Sequence, residues 1–378
     1  MTEKDTDSVV MNLSKENKKW LDNIADASEK NLDTEFLETQ NIGFDLSLTN
    51  GLGIPVGSSV LFYAEPGCGK TTLAGDVSRR LLNKAQTKGD DEFKILYLAT
   101  ENSKELLKSL GLGDFIASGK FIYIHQEFCW RQVETIYNAV LTGYGKFKGV
   151  KLIIIDSSNN VLADAELTKS VADGDFGSRP KERGRFYSKY FGMCAEKGIT
   201  TFLISQVRQD QEAGMYGDKK KAAATWVDLH NVEMILKCSR KSDKVDASKV
   251  KYNTAFGEYE DQTKWVMKLQ SSSTNCKNRF FNGFPAEVLV VKGKGIDNTY
   301  AARKLLEANG YVKKTGGWYS FSKELQENFK FPDSKLRASE CNTYIKENIK
   351  DLINMLKESD QYKIETSKEV IDSEEENE

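Results

Sequence analysis

Short apolar runs alternate with segments of helical spacing from about residue 44 to residue 239. Apolar strands separated by helical stretches favour parallel pairing, with helices on the faces of the sheet. The pattern therefore predicts an α/β fold with a mostly parallel, twisted sheet flanked by helices, whose ligands bind at the carboxyl ends of the strands. The predicted strands are Val60–Tyr63, Ile95–Ala99, Leu152–Ile155, Thr200–Ser205 and Val232–Leu236.

The chain divides into four predicted regions. Residues 1–36 have helical spacing but are too short to hold a core alone, so we expect an arm that packs on a neighbouring copy and drives oligomerisation. Residues 37–298 form the core, and residues 299–356 form a small C-terminal α/β region. Residues 357–378 are rich in Glu and Asp and are expected to be disordered.

The later part of the core has its own pattern. A polar stretch, 241–263, predicts an inserted loop or hairpin. Two more apolar runs, Lys264–Leu269 and Glu287–Val291, predict two further strands.

Composition narrows the class of protein. Of the 378 residues, 39% are hydrophobic and 29% are charged, which is normal for a soluble globular protein. The six cysteines are scattered without a Cys-x-x-Cys pair, so neither a zinc site nor a disulfide framework is indicated. The chain has neither an apolar run near the roughly 20 residues of a membrane span nor a signal sequence at its start. We therefore expect a cytoplasmic protein with no membrane partner.

The turn after the first strand has the composition of a phosphate-binding loop. Its small residues let backbone N–H groups converge on phosphates, Lys70 supplies a point charge, and the Thr71 hydroxyl can bind Mg²⁺. The first glycine of the usual G-x-x-x-x-G-K-[ST] pattern is Ala64 here, which is tolerated if that residue keeps a negative φ. The predicted nucleotide-binding residues of the turn are Glu65, Pro66, Gly67, Cys68, Gly69, Lys70, Thr71 and Thr72.

Three polar residues follow the other predicted strands. Glu101 follows the second strand, where a general base can act on the water that attacks the γ-phosphate. Asp156 ends the third strand and is predicted to hold Mg²⁺ together with Thr71. Gln206 ends the fourth strand and can sense the γ-phosphate by hydrogen bonding. The pattern predicts an ATP- and Mg²⁺-dependent catalytic site in which Glu101, Lys70 and Gln206 act on the nucleotide.

These motifs make the chain resemble the RecA family of homologous-recombination ATPases, and most of all the phage branch typified by UvsX. The resemblance covers roughly residues 37–325 and includes two stretches outside the phosphate loop, Gly293–Asp297 and Gly316–Ser320. It implies a DNA-dependent ATPase that forms helical filaments on single-stranded DNA and exchanges strands with duplex DNA, with single-strand-binding and mediator proteins as further partners. It also assigns Glu101 as the catalytic base and Gln206 as the link between nucleotide state and DNA.

Two segments fit the chemistry of DNA contact, and they follow Asp156 and Gln206 as the two DNA loops of the family do. The first, Asp175–Phe186, places cations beside glycines and aromatic residues. The second, Arg208–Thr225, holds a lysine run and two side chains that can stack on or wedge between bases. The predicted DNA contacts are Arg179, Lys181, Arg183, Arg185, Arg208, Met215, Tyr216, Lys219, Lys220 and Lys221.

The sequence departs from the family pattern at one cation pair. Relatives reach across the filament interface with Lys-x-Lys or Lys-Ser-Arg, whereas serines, Ser271–Ser273, stand at the aligned place in this chain. The substitutes left open are a monovalent ion, the residues Lys268, Lys277 or Arg279, and the pair Lys292 and Lys294. Two alternatives to a recombinase therefore stay open: a hexameric RecA-fold helicase, and a filament-forming paralogue that binds DNA and hydrolyses ATP weakly.

Overall fold

The computed structural model describes residues 34–49, 51–167, 177–209, 220–222, 226–241, 249–254, 257–262, 264–271, 276–279 and 285–358. The chain divides between Glu35 and Phe36, and the fold described here belongs to the second unit, Phe36–Glu378. Residues 1–33 of the predicted arm and residues 359–378 of the predicted acidic segment lie outside the described residues.

The strands position the residues of the candidate site. They are β1 (Phe36–Leu37), β2 (Ile54–Pro55), β3 (Ser59–Ala64), β4 (Lys94–Ala99), β5 (Phe121–His125), β6 (Val150–Asp156), β7 (Thr200–Gln209), β8 (Lys220–Ala222), β9 (Met234–Arg240), β10 (Lys249–Thr254), β11 (Gly257–Gln262), β12 (Lys264–Gln270), β13 (Lys277–Asn278), β14 (Ala286–Val291), β15 (Gly295–Asp297), β16 (Val312–Thr315), β17 (Trp318–Phe321) and β18 (Leu336–Arg337).

The helices of the described residues are α1 (Ile42–Thr49), α2 (Lys70–Thr87), α3 (Lys104–Leu107), α4 (Gly113–Ala117), α5 (Trp130–Leu141), α6 (Ser178–Glu196), α7 (Trp226–Asn231), α8 (Asn298–Ala308), α9 (Lys323–Phe329), α10 (Ala338–Glu347) and α11 (Ile349–Glu358). A π-helical turn, Lys108–Leu112, joins α3 to α4. Short 3₁₀ turns lie at Gly145–Phe147, Ser158–Asn160 and Asp164–Leu167.

The main sheet has the order β15-β14-β12-β9-β3-β7-β6-β4-β5, with β13 beside β9 and β8 beside β7. The six strands from β9 to β5 pair in parallel, and β12, β14 and β15 add antiparallel strands at one edge. The predicted α/β fold with a mostly parallel sheet is confirmed. The polar stretch after residue 241 forms an antiparallel pair, β10 and β11, so the predicted hairpin is also confirmed.

Both faces of the central strands are buried, which explains their continuous apolar sequences. Along β3, Val60, Phe62 and Ala64 point into a core that includes α2, because alternate side chains of a strand face opposite sides. Leu61 and Tyr63 point into a second core with α5 and α6. All six residues of β3 are buried. This double burial holds the end of β3, and the turn that follows it, in a fixed position.

A third apolar core lies under the C-terminal region. It joins helices α8, α10 and α11 with the small antiparallel sheet of β16, β17 and β18. Ile42 and Leu46 of α1 pack into the same core, so α1 contacts this region as well as the main sheet.

Candidate active site

The turn between β3 and α2 has the backbone of a phosphate cradle. Gly67 and Gly69 have φ values of 71° and 108°, in the left-handed region that favours glycine. Ala64 is not among the residues with positive φ, so its replacement of the usual first glycine carries no backbone strain. A Cβ atom on Gly69 would lie 3.3 Å from the Trp265 ring, a tight contact that would require the ring to shift slightly.

Lys70 begins α2 and folds back over the turn. Its Nζ donates to the carbonyl oxygens of Ala64 at 2.8 Å and of Glu65 at 3.1 Å. Burial lowers the pKa of Lys70, while the nearby acidic groups oppose that shift. The Lys70 ammonium group therefore lies at the mouth of the turn, where the oxygen atoms of a bound polyphosphate can replace the two carbonyl oxygens as its hydrogen-bond acceptors.

Asp156 ends β6 and is linked to two hydroxyl groups. Thr71 Oγ1 donates to Asp156 Oδ2 at 2.7 Å, and Tyr97 OH donates to the same oxygen at 2.5 Å. Asp156 is only 7% exposed, and burial raises the pKa of its carboxyl group although both hydrogen bonds act to lower it. A hydroxyl group and a carboxylate oxygen at this distance form a donor set that suits Mg²⁺, so the residues present fit the predicted ion.

Glu101 and Gln206 are both held by the asparagines that follow Asp156. Asn160 Nδ2 donates to Glu101 Oε1 at 3.1 Å. Asn159 Oδ1 accepts from the Gln206 backbone N–H at 3.3 Å and from Ser205 Oγ at 2.5 Å. Sequence reasoning missed these two asparagines, although their position directly after the Asp156-Ser157-Ser158 end of a strand is a usable signal. They tie the ends of β4, β6 and β7 together.

A single cleft of about 350 Å³ collects most of the predicted residues. It brings together all three predicted catalytic side chains, and Leu106, Ser157 and Trp265 are lining residues that sequence reasoning did not identify. The lining residues are Pro66, Gly67, Gly69, Lys70, Thr71, Thr72, Glu101, Leu106, Asp156, Ser157, Gln206, Trp265 and Lys292.

Two residues of the predicted loop do not line this cleft. Glu65 is exposed, and its carbonyl oxygen accepts a hydrogen bond from Lys70. Cys68 is 2% exposed and packs in the core beneath the turn, where burial raises the pKa of its thiol to about 11. The Cys68 side chain is therefore a neutral, packed group, and its carbonyl oxygen accepts a hydrogen bond from Trp265 Nε1 at 2.8 Å.

The first predicted DNA segment differs from the expected loop. The chain is helical from Ser178 onward. The aromatic residues Phe186, Tyr187 and Tyr190 pack into the core from one face of this helix, and the polar residues before them belong to the same helix. Within this helix Arg183 is buried at 8% exposure. Arg179 Nε pairs with Glu166 Oε2 at 2.7 Å.

Lys181 and Arg185, in contrast, are exposed on α6. These two cations remain accessible to a phosphate backbone.

The second predicted DNA segment begins as a hairpin. Strand β7 continues past Gln206 and pairs with β8 in antiparallel fashion, which sets Arg208 opposite Lys221 and Gln209 opposite Lys220. The predicted contacts Met215, Tyr216 and Lys219 lie outside the described residues.

Two of the candidate replacement cations have structural partners. Lys277 Nζ donates to the carbonyl oxygens of Leu229, His230 and Val232, and Arg279 Nη2 donates to that of His230. Both side chains therefore stabilise the carboxyl end of α7, where cations are favoured.

The described residues contain neither a group of three or more His, Cys, Asp and Glu side chains placed to hold a metal ion nor a helix that is long and apolar enough to cross a membrane.

Removing the Tyr97 hydroxyl is expected to weaken the predicted Mg²⁺ site, because this hydroxyl holds the Asp156 carboxyl group. In Tyr97→Phe, Asp156 Oδ2 keeps only the Thr71 hydrogen bond, so we expect a loss of about 2 kcal/mol of folding stability. We also expect a higher Mg²⁺ concentration for half-maximal ATP hydrolysis. Thermal unfolding and a Mg²⁺ titration measure the two effects. Tyr137→Phe, in the core on the opposite face of the sheet, is the control and should leave the titration unchanged.

Part of the chain matches a known family model, and most of it is similar to proteins of known name. Residues 48–212 match a family model described as AAA domain. The chain is 24% identical over 295 residues to the RecA protein of Ectopseudomonas oleovorans, covering 78% of this chain and 76% of that protein. It is 21% identical over 364 residues to the RecA protein of Clostridioides difficile, covering 92% and 91%. A crystal structure of the RadB recombinase matches with a TM-score of 0.46 and 20% identity, over 69% of this chain and 98% of that one. The fold itself is an α/β core with a mostly parallel central sheet flanked by helices.

Proposed function

We propose that this protein is an ATP-dependent recombinase of the RecA type, which forms helical filaments on single-stranded DNA and catalyses homologous pairing and strand exchange. The observation that carries the proposal is the cleft in which Lys70, Thr71, Glu101, Asp156 and Gln206 meet. Similarity to RecA proteins over most of the chain supports the same function. The short stretches shared with the phage UvsX-type branch further suggest a phage-encoded protein that acts in the host cytoplasm.

Each residue of the cleft has its own role in ATP hydrolysis. Lys70 and the N–H groups of the glycine turn bind the phosphates, and Glu101, oriented by Asn160, takes the proton of the attacking water. Thr71 and Asp156 would hold Mg²⁺, which neutralises charge that develops on the phosphates. Each residue comes from the carboxyl end of a different strand or from the start of α2. Their relative positions are therefore fixed by the sheet.

Gln206 connects the nucleotide cleft to the second predicted DNA segment. It lines the cleft, and the same strand continues directly into the β7–β8 hairpin that carries Arg208, Lys220 and Lys221. A change at the γ-phosphate that moves Gln206 must move the start of this hairpin, because the two lie on one continuous strand. We infer that ATP binding thereby positions the second DNA segment.

Steady-state ATPase assays with and without single-stranded DNA, together with negative-stain images, test the proposal. A recombinase should show DNA-stimulated hydrolysis and extended filaments. A ring helicase should give closed rings and unwind forked DNA. A weakly hydrolysing paralogue should give filaments with little turnover. Deletion of residues 1–35 should remove the filaments but leave a folded protein that binds ATP.

Charge removal on α6 is expected to change the salt dependence of DNA binding. Lys181 and Arg185 are exposed, and each phosphate contact that is lost should make the log–log slope of affinity against salt shallower by about one. Fluorescence anisotropy of labelled single-stranded DNA at several salt concentrations measures the slope for the Lys181→Ala/Arg185→Ala variant.

The control for this measurement is Lys146→Ala. Lys146 is also exposed but precedes β6, at the amino end of the parallel strands, whereas the β7–β8 hairpin lies at their carboxyl end. A slope identical to wild type in the double variant would remove α6 from the DNA site.

A further inference from the structure

A second pocket, of about 660 Å³, lies between the antiparallel edge of the main sheet and the C-terminal region. Helix α1 contributes Leu46 to its lining, β12 contributes Lys268, and α8 contributes Lys304 and Leu305. Lys241, directly after β9, also lines it, and we call it the lysine pocket after Lys241, Lys268 and Lys304. The volume falls within the range of about 300–1,000 Å³ that is usual for small-molecule sites.

The lysine pocket is separate from the nucleotide cleft. Among the described residues, the two share no lining residue. Trp265 of β12 lines the cleft, whereas Lys268 of the same strand lines the lysine pocket. The two positions are three residues apart on a strand, so their side chains point to opposite faces of the sheet. A ligand of the lysine pocket is therefore distinct from a nucleotide at the phosphate loop.

The floor of the lysine pocket is apolar. Leu46 is 5% exposed and Ala301 is 3% exposed, and both belong to the third apolar core, against which Leu305 also packs. Gly43 lets α1 approach the sheet closely here, since a Cβ atom at this position would overlap with Val288 of β14. The floor is thus built from packed side chains and suits the hydrocarbon part of a ligand.

The charged side chains around this floor are mostly cations. Three lysines line the pocket, Lys241, Lys268 and Lys304, together with one acid, Glu287. Glu287 is engaged at both oxygens: Oε1 accepts from Lys241 Nζ at 2.9 Å, and Oε2 accepts from Tyr300 OH at 3.0 Å. Glu287 therefore balances Lys241 and leaves the charges of the other two lysines.

The remaining two lysines differ in their partners. Lys304 Nζ donates to Glu307 Oε2 at 3.3 Å, and Glu307 also pairs with Arg303 Nε at 3.8 Å, so one carboxylate is shared by two cations. Lys268 lies directly opposite Glu287 in the β12–β14 ladder, where paired side chains share a face. Lys268 makes no hydrogen bond or ion pair within the part of the chain that the structure describes. Its ammonium group is therefore available to an anion.

We propose that the lysine pocket binds a small organic anion, whose apolar body packs on the floor and whose carboxylate, sulfonate or phosphate group contacts Lys268. The excess of lysines gives the charge complementarity, and the buried floor excludes water from the apolar part of the ligand. The inference does not depend on the proposed function. Because Lys268 belongs to the main sheet and Leu305 to α8, the ligand contacts the sheet and the C-terminal region at once.

A pair of fluorescent probes tests the proposal on the full chain. Anilinonaphthalene sulfonate carries the anion on an aromatic body, and phenylnaphthylamine has the same rings without the sulfonate. Both are titrated without DNA and with an excess of a non-hydrolysable ATP analogue, so that the nucleotide cleft is not available. Lys268→Ala should weaken binding of the sulfonate by about 10-fold, as expected for the loss of one charge-assisted contact, and should leave phenylnaphthylamine binding unchanged. Lys268→Arg should restore sulfonate binding.

Two further variants control the measurement. Lys264 is half-buried on the same strand and the same face as Lys268 but does not line the pocket, so Lys264→Ala should bind both probes like wild type. Ala308 is exposed and lines the pocket, so Ala308→Phe adds a ring there without entering the core. This variant should weaken binding of both probes.

Four results would overturn the proposal. Wild-type affinity of Lys268→Ala for the sulfonate would exclude this lysine from anion binding. Equal losses for both probes in Lys268→Ala would make it a structural residue. An equal loss of sulfonate binding in Lys264→Ala would show attraction to the general surface charge. Unchanged binding of both probes to Ala308→Phe would place the probes outside the pocket.

Discussion

Replacing Glu101 with glutamine is expected to slow ATP hydrolysis by about 10²-fold to 10⁴-fold while nucleotide binding stays within a few-fold of wild type. Glu101 follows β4, lines the cleft, and accepts a hydrogen bond from Asn160 at 3.1 Å. A glutamine side chain has the same size, and its amide oxygen can keep that hydrogen bond, but it cannot take a proton from water. Steady-state kcat on single-stranded DNA and equilibrium binding of a fluorescent ATP analogue measure the two quantities.

Glu105→Gln is the matched control for this substitution. Glu105 lies four residues further along the chain, on α3, where it pairs with Lys108 at 2.8 Å and does not line the cleft. It should leave kcat unchanged. Wild-type hydrolysis by Glu101→Gln would show that another group is the base. An equal loss of binding and turnover would instead make Glu101 a nucleotide-binding residue.

The elements that sequence predicted best are those buried on both faces. Strand β3 is apolar from Val60 to Ala64 because one core lies on each side of it, and such a continuous apolar run is easily recognised in the sequence. Strand β4 ends where its apolar run ends and β6 ends one residue beyond its own, whereas β7 continues past the exposed Gln206 to Gln209. The polar residues Asp156, Glu101 and Gln206 could therefore be placed together at the carboxyl end of the sheet, since parallel strands bring their carboxyl ends together.

The residues that sequence reasoning missed depend on contacts between distant segments. Trp265 lies 197 positions after Cys68, yet its indole N–H closes on the Cys68 carbonyl oxygen. Local composition contains no sign of this contact, which depends on the register of β12 against β9 and β14. Lys292 was identified only as one of several candidate cations for the same reason: its place in the cleft follows from the order of strands in the sheet.

The first predicted DNA segment shows a conflict between local composition and packing. Its glycines and charges are typical of a loop, but the aromatic residues that follow fix a helix whose register includes Arg183. Tertiary burial then decides which cations stay accessible: Lys181 and Arg185 are exposed, whereas Arg183 is enclosed by the core. A charge count along the sequence cannot make this distinction.

Lys70→Ala is expected to abolish ATP turnover and to weaken ATP binding by more than about 100-fold, since the substitution removes the cation of the predicted phosphate-binding loop. Lys70→Arg keeps the positive charge and is the control for loss of charge. Lys88→Ala is the second control: Lys88 is exposed just beyond the other end of α2, and this variant should bind ATP like wild type. Persistent turnover in Lys70→Ala would contradict the assignment of this loop as the phosphate site.

Lys70 should also make the folding stability of the protein depend on pH. Burial lowers the pKa of Lys70 in the folded protein, so the unfolded chain holds this proton more tightly. Folding stability should therefore rise with pH as Lys70 of the folded protein loses its proton, between its lowered pKa and the usual lysine value. Lys70→Ala lacks this contribution, so the difference in thermal unfolding temperature, wild type minus variant, should increase between pH 7 and about pH 10. A difference that stays constant over this range would show that the folded protein does not disfavour the charge on Lys70.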